Sequence, residues 1–395
     1  MSMNNTRKGV IFMGENAIKQ QKASTTLRDS NIELYRIISM FLIVAHHYVV
    51  NSGLTSLDGP IYAAPMSFSS QFLLLLGAWG KTGINCFVLI TGYFMCTSQI
   101  TPKKFAKLFF EFMFYRIIIN SIFWISGYVP FSLTALVKVL IPFSAVSQNF
   151  TGTYLIFFFC IPFLNILIRY LNEKQHIRLL LLLLFTYVLF GTIPFLSVTM
   201  NYVSWYVVLY FISSYVRLYP KKLFDSKCFW GIMTLVSVAL ASISVVACSW
   251  LGMKQGKAMA YMLVTDSNTF LAVLLGLSSF MYFKNLRIKY SKVINTFSAT
   301  TFGVLMIHAN SNTMRQWLWQ DVLDNVGAYA SPWMPVHAMG SVILVFVVCS
   351  LLDMVRIHFV EKPFFKLWDK YWPWIVEKYA VFENRICKRL GISED

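Results

Sequence analysis

Charged residues are scarce in this sequence, and their scarcity sets the class of protein. Only 13% of the residues are charged, whereas 57% are hydrophobic and 17% are aromatic. A soluble globular domain carries roughly twice that share of charge, so this class is excluded. Apolar runs long enough to cross a bilayer recur along the 395 residues, which predicts an all-α polytopic membrane protein.

Acidic residues are scarcer than basic ones, since 17 Asp and Glu stand against 34 Lys and Arg, giving a net charge of +17. The placement of the basic residues argues against a nucleic-acid partner. By the positive-inside rule, their side of the bilayer is cytoplasmic, which predicts both termini there. In a ten-helix arrangement that side holds 28 of the 34 basic residues, in the segments 1–36, 99–107, 169–178, 217–227, 284–292 and 356–395.

Cysteine clusters and common catalytic motifs are also lacking. The seven Cys are scattered without a CxxC pair or zinc-like spacing to His, so neither a disulfide framework nor a metal site is predicted. The absence of GxSxG, HExxH, Walker and GxGxxG motifs leaves hydrolase, metalloprotease and nucleotide-motor functions without support. The polar first 30 residues lack the apolar core of a secretory signal, so we expect a cytoplasmic lead-in.

Hydropathy predicts about ten transmembrane helices in one membrane domain, 31–368. A polar cytoplasmic segment, 1–30, precedes it and a basic cytoplasmic tail, 369–395, follows. The segment 68–76 is too short to span and is expected to be re-entrant or interfacial, and 132–142 is expected to be amphipathic. The predicted helices cover 31–50, 82–96, 105–127, 151–171, 177–195, 202–219, 228–251, 261–283, 293–309 and 336–359.

The first predicted helix, 31–50, contains Glu33, Arg36, His46 and His47, which are costly residues in a plain membrane anchor. Arg36 and His47 are eleven residues apart, so they share one face at about 16 Å along the axis, while His46 points away. A guanidinium near one surface and an imidazole towards the other predict a site that spans the membrane. The plainer alternative is that Arg36 snorkels to lipid phosphates and one His bonds a carbonyl.

Further candidates lie at both ends of the predicted bundle. His308 falls at the same end as His47, so the two imidazoles are expected to share an outer-facing pocket in which a His acts as general base. Lys103, Lys104 and Lys107 follow a predicted cytoplasmic turn. These lysines are either an ordinary positive-inside anchor or a site for a polyphosphate ligand.

Amide and aromatic side chains are the candidates for substrate contacts. Asn85 in the second predicted helix is either structural glue between helices or a substrate contact. The predicted outer loop, 310–335, contains Asn310, Trp317 and Trp319, whose aromatic faces and amide edges suit a carbohydrate. The same Trp residues also suit a belt in the lipid headgroup layer, where Trp is enriched.

Four segments together resemble membrane acyltransferase family 3, whose members O-acylate extracytoplasmic carbohydrates. RIISMFLIVAHH reproduces the Arg, ten residues, His pattern of the family's first helix and selects Arg36 and His47. GINCFVLITGYFM is similar to the family's GVDLFFVLSGFL segment, and FGVLMIHAN is similar to its late YLIH segment, which selects His308. HFVEKPF is similar to the closing ERPF segment and selects Glu361, so the similarity runs from about residue 30 to residue 368.

The resemblance implies transfer of an acyl group, acetyl or succinyl, from cytosolic acyl-CoA to a hydroxyl of a cell-surface or exported polysaccharide. It places Arg36, His47, His308 and Glu361 in the catalytic site. Acyl-CoA, above all acetyl-CoA, is then the expected co-substrate, with no metal, and the carbohydrate and the lipid bilayer are the expected partners.

The positions of the residues fit this reaction independently, since Arg36 with Lys103, Lys104 and Lys107 is expected to hold the CoA phosphates at the inner face. The expected location is a bacterial inner or plasma membrane. This chain has Lys where an Arg pair is common in the family, and Asn85 where an Asp is common. A glycan or small-molecule exporter is the alternative function, because ten helices with intramembrane charges also suit transport. Inverted repeats would favour the exporter, and none is visible in the sequence.

Overall fold

The computed structural model describes residues 29–141, 150–193, 196 and 201–390, and over those residues it is helical without strands. The helices are α1 (Ser30–Val50), α2 (Phe68–Gly77), α3 (Gly80–Met95), α4 (Pro102–Ile125), α5 (Leu133–Leu140), α6 (Phe150–Tyr170), α7 (Glu173–Thr192), α8 (Tyr202–Leu218), α9 (Lys227–Gln255), α10 (Phe270–Lys284), α11 (Lys292–Ala299), α12 (Thr301–His308), α13 (Asn312–Gln316), α14 (Met334–Arg356) and α15 (Lys362–Leu390).

Within the described residues, seven helical stretches are long and apolar enough to cross a membrane. Five of them are the single helices α1, α4, α6, α7 and α9. The other two are Phe68–Met95, which combines α2 with α3, and Met334–Val376, which runs from α14 into α15. The remaining predicted spans coincide with shorter helices, since α8 has 17 residues, α10 has 15, and α11 and α12 have 8 each. The prediction of an all-helical, multi-pass protein is therefore confirmed, whereas the count of ten spans stays a prediction.

Helix α1 lies at the centre of the bundle. It packs against six helices, α2, α3, α10, α11, α12 and α14. Met40, Val44, Tyr48 and Val49 on α1 are fully buried. The ionisable side chains of α1 are therefore carried by a helix that protein surrounds, as expected for such costly groups.

The second span begins earlier than the sequence predicted. Residues 68–76 form α2, and α2 joins α3 through 78–79, both in right-handed helical conformation, into one span of 28 residues. The ring of His46 packs against this joint, where a Cβ on Gly80 would lie 2.2 Å from His46 Cγ. The sequence predicted a separate short segment because the polar and glycine residues at the joint interrupt the apolar run. The re-entrant or interfacial placement of 68–76 stays a prediction.

The later helix boundaries also differ from the predicted ones. The eighth helix begins at Phe270, since 261–269 form turns, and the ninth is divided at Thr300 into α11 and α12. The tenth helix continues through a π-turn, Ile357–Glu361, into α15, so the described part of the predicted tail is helical. Hydropathy does not place such breaks and continuations, because it reports how apolar a stretch is and not its backbone conformation.

Three predicted segments, 1–30, 132–142 and 369–395, fall partly on residues that are not described. The amphipathic prediction for 132–142 coincides with α5, which begins at the Ser132 N-cap and buries only Val139. Residue 142 lies outside the described residues, as do residues 1–28 and 391–395 of the predicted cytoplasmic segments.

The predicted orientation can be tested by labelling from outside intact cells. Since 28 of the 34 basic residues are assigned to the cytoplasmic side, a membrane-impermeant maleimide should label Gln320→Cys and spare Lys104→Cys. Both positions are exposed, so burial would not account for a difference. The parent protein should have its native cysteines replaced, and strong labelling of Lys104→Cys would contradict the orientation.

Candidate active site

Two imidazoles meet at one end of the bundle, which we call the His47 end. His47 Nδ1 and His308 Nε2 lie 3.0 Å apart, and His308 Nδ1 lies 2.6 Å from the carbonyl oxygen of Val304. A carbonyl can only accept, so His308 Nδ1 carries a proton and His308 Nε2 accepts from His47 Nδ1. This order leaves the lone pair on His47 Nε2. The structure thus brings together the two histidines that the sequence predicted to meet.

The end of α12 positions His308. Helix α12 ends at His308, which is fully buried, and its hydrogen bond to Val304 lies within one turn of the same helix. His47 lies in the last turn of α1, which packs against α12. Two helix ends that meet inside the bundle therefore fix both rings.

His46 points to a different neighbour, as the helical periodicity predicted. Its Nδ1 lies 2.6 Å from the carbonyl oxygen of Gly77. Its ring fills the space that the missing side chain of Gly80 leaves. These contacts make His46 a packing residue between α1 and the second span. Of the two adjacent histidines, only His47 makes the hydrogen bond to His308.

His47 lines a cavity of about 80 Å³. Arg116 on α4, Thr151 on α6, Asn310 and Arg315 also line it, and no carboxylate is among its lining residues in the described part of the chain. Burial lowers the pKa of Arg315, but a guanidinium stays protonated at any physiological pH. The cavity therefore combines a neutral base with fixed positive charge.

Sequence reasoning missed the two arginines of this cavity. Arg116 and Arg315 belong to the six basic residues outside the positive-inside segments. The available signal was their position away from the predicted cytoplasmic side, because the positive-inside rule does not explain a basic residue there.

The predicted substrate contacts on 310–335 have different surroundings. Asn310 lines the His47 cavity, and its amide nitrogen donates to the carbonyl of Met306 at 3.1 Å. Trp319 is fully buried, and its ring stands edge-on to His308 with centroids 6.3 Å apart. Trp317 is 36% exposed. Trp319 therefore forms a wall behind the histidine pair, and Trp317 keeps a face that a ligand can reach.

Asn85 has its polar atoms bound within the protein. Its amide nitrogen donates to the carbonyl of Ser267 at 2.7 Å and to that of Ala272 at 3.2 Å. Its carbonyl oxygen accepts from the indole nitrogen of Trp205 at 2.9 Å, and the side chain is fully buried. Of the two roles that the sequence left open, these contacts fit structural glue between helices.

Arg36 lies near the other end of α1, which we call the Arg36 end. Its Nη1 lies 3.4 Å from Glu33 Oε1, and the side chain is 27% exposed. Glu33 also accepts from the hydroxyl of Ser298 on α11. Arg36 is therefore held by a neighbouring carboxylate, and part of its guanidinium faces open space.

The three predicted CoA-binding lysines occupy the first turns of α4. Lys103 Nζ lies 2.6 Å from Asp369 Oδ1, and both side chains are about half exposed. Lys104 Nζ donates to the hydroxyl of Ser98 at 2.9 Å and to the carbonyl of Gln99 at 2.8 Å. Exposed pairs of this kind are worth about 0–1 kcal/mol, so a polyphosphate could exchange for the present partners.

Glu361 belongs to a buried ionic cluster. Arg356 donates from Nε to Asp353 at 2.7 Å and from Nη1 to Glu361 at 2.7 Å, and its Nη2 lies 3.1 Å from Glu111 Oε1. Tyr115 donates to Asp353 at 2.7 Å. Glu111 and Asp353 were not among the predicted site residues. The available signal was a carboxylate within an apolar helix, which is costly unless it has a partner.

The structure does not bring Glu361 to the histidine pair. Its second partner is Lys107, with Nζ 2.7 Å from Glu361 Oε1. Lys107 precedes Arg116 of the His47 cavity by nine residues of the same helix, about 13 Å along the axis. The contacts of Glu361 are those of a residue that holds Arg356, and its catalytic role stays a prediction.

A larger cavity, of about 560 Å³, lies elsewhere between Tyr62 and Met259. No His, Cys, Asp or Glu is among its lining residues in the described part of the chain. Tyr261, whose hydroxyl donates to the carbonyl of Leu74 at 2.9 Å, stands between this cavity and His46, with ring centroids 6.4 Å apart. We assign the chemistry to the smaller cavity because it contains a base. Within the described ranges, no three His, Cys, Asp or Glu side chains group as metal ligands.

A helical bundle with a histidine pair beside a cavity has the group that general acid–base catalysis most often uses. A family model described as an acyltransferase domain, that of acyltransferase family 3, matches residues 29–354, more than four fifths of the chain. The chain belongs to this family, and it is a membrane acyltransferase. No curated protein and no solved structure matches it at a significant level.

Proposed function

We propose that this acyltransferase moves acetyl or succinyl from acyl-CoA to a hydroxyl of a cell-surface or exported polysaccharide. The observation that carries the proposal is the order of hydrogen bonds from Val304 through His308 to His47. This order leaves an unprotonated nitrogen on His47 beside a cavity. A positioned neutral imidazole is the usual base for removing a proton from a hydroxyl.

In the proposed reaction, His47 Nε2 takes the proton of the acceptor hydroxyl while that oxygen attacks the thioester carbonyl carbon. The new C–O bond forms, the C–S bond breaks, and His47 returns the proton to the leaving thiolate of CoA. His308 acts as a positioning residue, because its bond to the Val304 carbonyl fixes which nitrogen of His47 carries hydrogen. A backbone carbonyl here has the orienting role that an acidic side chain has in a catalytic triad.

The donor and acceptor are proposed to enter from opposite ends of α1. Arg36 and the three lysines on α4 supply the positive charge that CoA phosphates require. The spacing of Arg36 and His47, about 16 Å along α1, separates the phosphate site from the reacting atoms. At the His47 end, the exposed face of Trp317 and the amide of Asn310 suit the rings and hydroxyls of a sugar.

The direct test has two parts. Purified protein in detergent is supplied with acetyl-CoA or succinyl-CoA and surface polysaccharide, and the release of CoA is followed together with the mass of the glycan. Surface glycans of cells with and without the gene are then compared by mass spectrometry. A mass difference of one acyl group supports the proposal, whereas unchanged acylation with less glycan at the surface would favour an exporter.

Arg36 provides a prediction on the donor side. Arg36→Ala should lose acyl transfer, and Arg36→Lys should fail to restore it, because an ammonium lacks the planar fork that binds phosphate oxygens in pairs. The KM for acyl-CoA should rise in both variants, while the KM for the acceptor should not change. Near-normal transfer by Arg36→Lys would show that charge alone suffices, and near-normal transfer by Arg36→Ala would remove Arg36 from the site.

A further inference from the structure

The two arginines of the His47 cavity differ in what holds them. Arg116 donates from Nε to the carbonyl of Val139 at 3.0 Å and from Nη2 to that of Lys138 at 2.6 Å. These carbonyls belong to the last turn of α5, where a cation is favourable, so Arg116 caps a helix. Its best-placed donors are therefore occupied.

Arg315 has no comparable partner. Its Nη1 lies 3.3 Å from Asn312 Oδ1, and its Nε is buried without a hydrogen-bond partner among the described residues. The backbone around it is fixed, because the hydroxyl of Ser311 accepts from Met314 N at 3.1 Å at the start of α13. A buried donor without a partner is uncommon in a folded protein and calls for an explanation.

The chemistry of the site supplies a partner. As the acceptor oxygen attacks a thioester, negative charge develops on the carbonyl oxygen, and a preorganised donor beside that oxygen stabilises the transition state. The Asn310 amide in the same cavity is neutral, and one of its two N–H groups already donates to the carbonyl of Met306. Arg315 lines the cavity with a full charge and several N–H donors.

We propose that Arg315 is a further catalytic residue, whose guanidinium donates to the thioester carbonyl oxygen as it becomes an oxyanion. This assignment rests on the proposed acyl transfer. The electron pair of the C=O bond moves to oxygen when the new C–O bond forms, and it returns when the C–S bond breaks. Arg315 gains and loses no proton during the cycle, since His47 alone moves the proton from the hydroxyl to the thiolate.

The test compares the steady-state kinetics of Arg315→Ala and Arg315→Lys with those of the wild-type protein. Removing one oxyanion donor typically lowers kcat by about 10²–10³-fold, so we expect a loss of that size in both variants. The KM values for acyl-CoA and for the acceptor should stay within about threefold, because the bond is made only in the transition state. Guanidinium ion added at millimolar concentration should restore part of the kcat of Arg315→Ala.

Lys254→Ala serves as the matched control, because it removes a cation whose contact is the ring of Trp250, at 4.9 Å. It should keep wild-type kcat. A raised acceptor KM with unchanged kcat in Arg315→Ala would overturn the proposal and make Arg315 a substrate anchor. If Arg315→Ala does not fold, as judged by detergent chromatography, Arg315→Lys decides by the same kcat criterion. A wild-type protein without acyl transfer would refute the proposed function itself, and the assignment of Arg315 with it.

Discussion

His47→Ala should lower acyl transfer by about 10²–10⁴-fold, the usual contribution of a general base. The loss should be in kcat, because His47 Nε2 acts on the hydroxyl proton rather than on substrate binding. His46→Ala should keep most of its activity per folded molecule, since His46 bonds the carbonyl of Gly77 and packs on Gly80. Two adjacent residues of one helix are thus expected to differ by orders of magnitude.

The measurement is CoA release by purified protein with acceptor glycan, normalised to the folded fraction from detergent chromatography. Normalisation matters because His46→Ala removes a hydrogen bond to a buried carbonyl, which typically costs about 1–3 kcal/mol of stability. If His47→Ala stays active while His46→Ala is dead, the hydrogen-bond order selects the wrong imidazole. If both variants stay active, the base lies elsewhere, and His308 is the next residue to replace.

Arg356→Met should destabilise the fold by about 3–5 kcal/mol, because it leaves buried carboxylates without their cation. Arg356 is 3% exposed and bonds Asp353, Glu361 and Glu111, which are also buried. The matched control is Lys103→Met, which breaks the exposed pair with Asp369. Its expected cost is about 0–1 kcal/mol.

Thermal unfolding in detergent distinguishes the two variants. The midpoint should fall steeply for Arg356→Met and hardly change for Lys103→Met. Adding Glu111→Gln, Asp353→Asn and Glu361→Gln to Arg356→Met should recover part of the loss, because neutral groups need no counter-charge. Equal midpoints for Arg356→Met and the wild-type protein would show that water reaches the cluster.

The central part of the site could be predicted because it depends on one regular helix. The spacing of Arg36, His46 and His47 at 3.6 residues per turn gave their relative directions, and the structure shows His46 and His47 with different neighbours. The proximity of His308 followed from placing both histidines at the same end of neighbouring spans. Helix periodicity and hydropathy depend on residues close together in the chain, so they can be predicted from a single sequence.

The features of the site that were not predicted depend mainly on tertiary packing. Nothing near Arg315 in the sequence indicates that a cavity with His47 lies beside it. Of the three carboxylates around Arg356, Glu111 comes from the distant helix α4. No Pro occurs in 292–308 or in the π-turn Ile357–Glu361, so both stretches are also compatible with straight helix. The identity of a buried polar partner is therefore a tertiary property.

Helix α1 runs without a break from Ser30 to Val50, so Arg36 and His47 are joined by continuous hydrogen-bonded backbone. The distance between them is set by the rise per residue and not by how neighbouring helices pack. Rocking of the surrounding helices can open or close either end without changing this distance. In the proposed reaction, a donor whose phosphates are held at Arg36 therefore presents its reactive carbon at a depth along α1 that the helical rise sets.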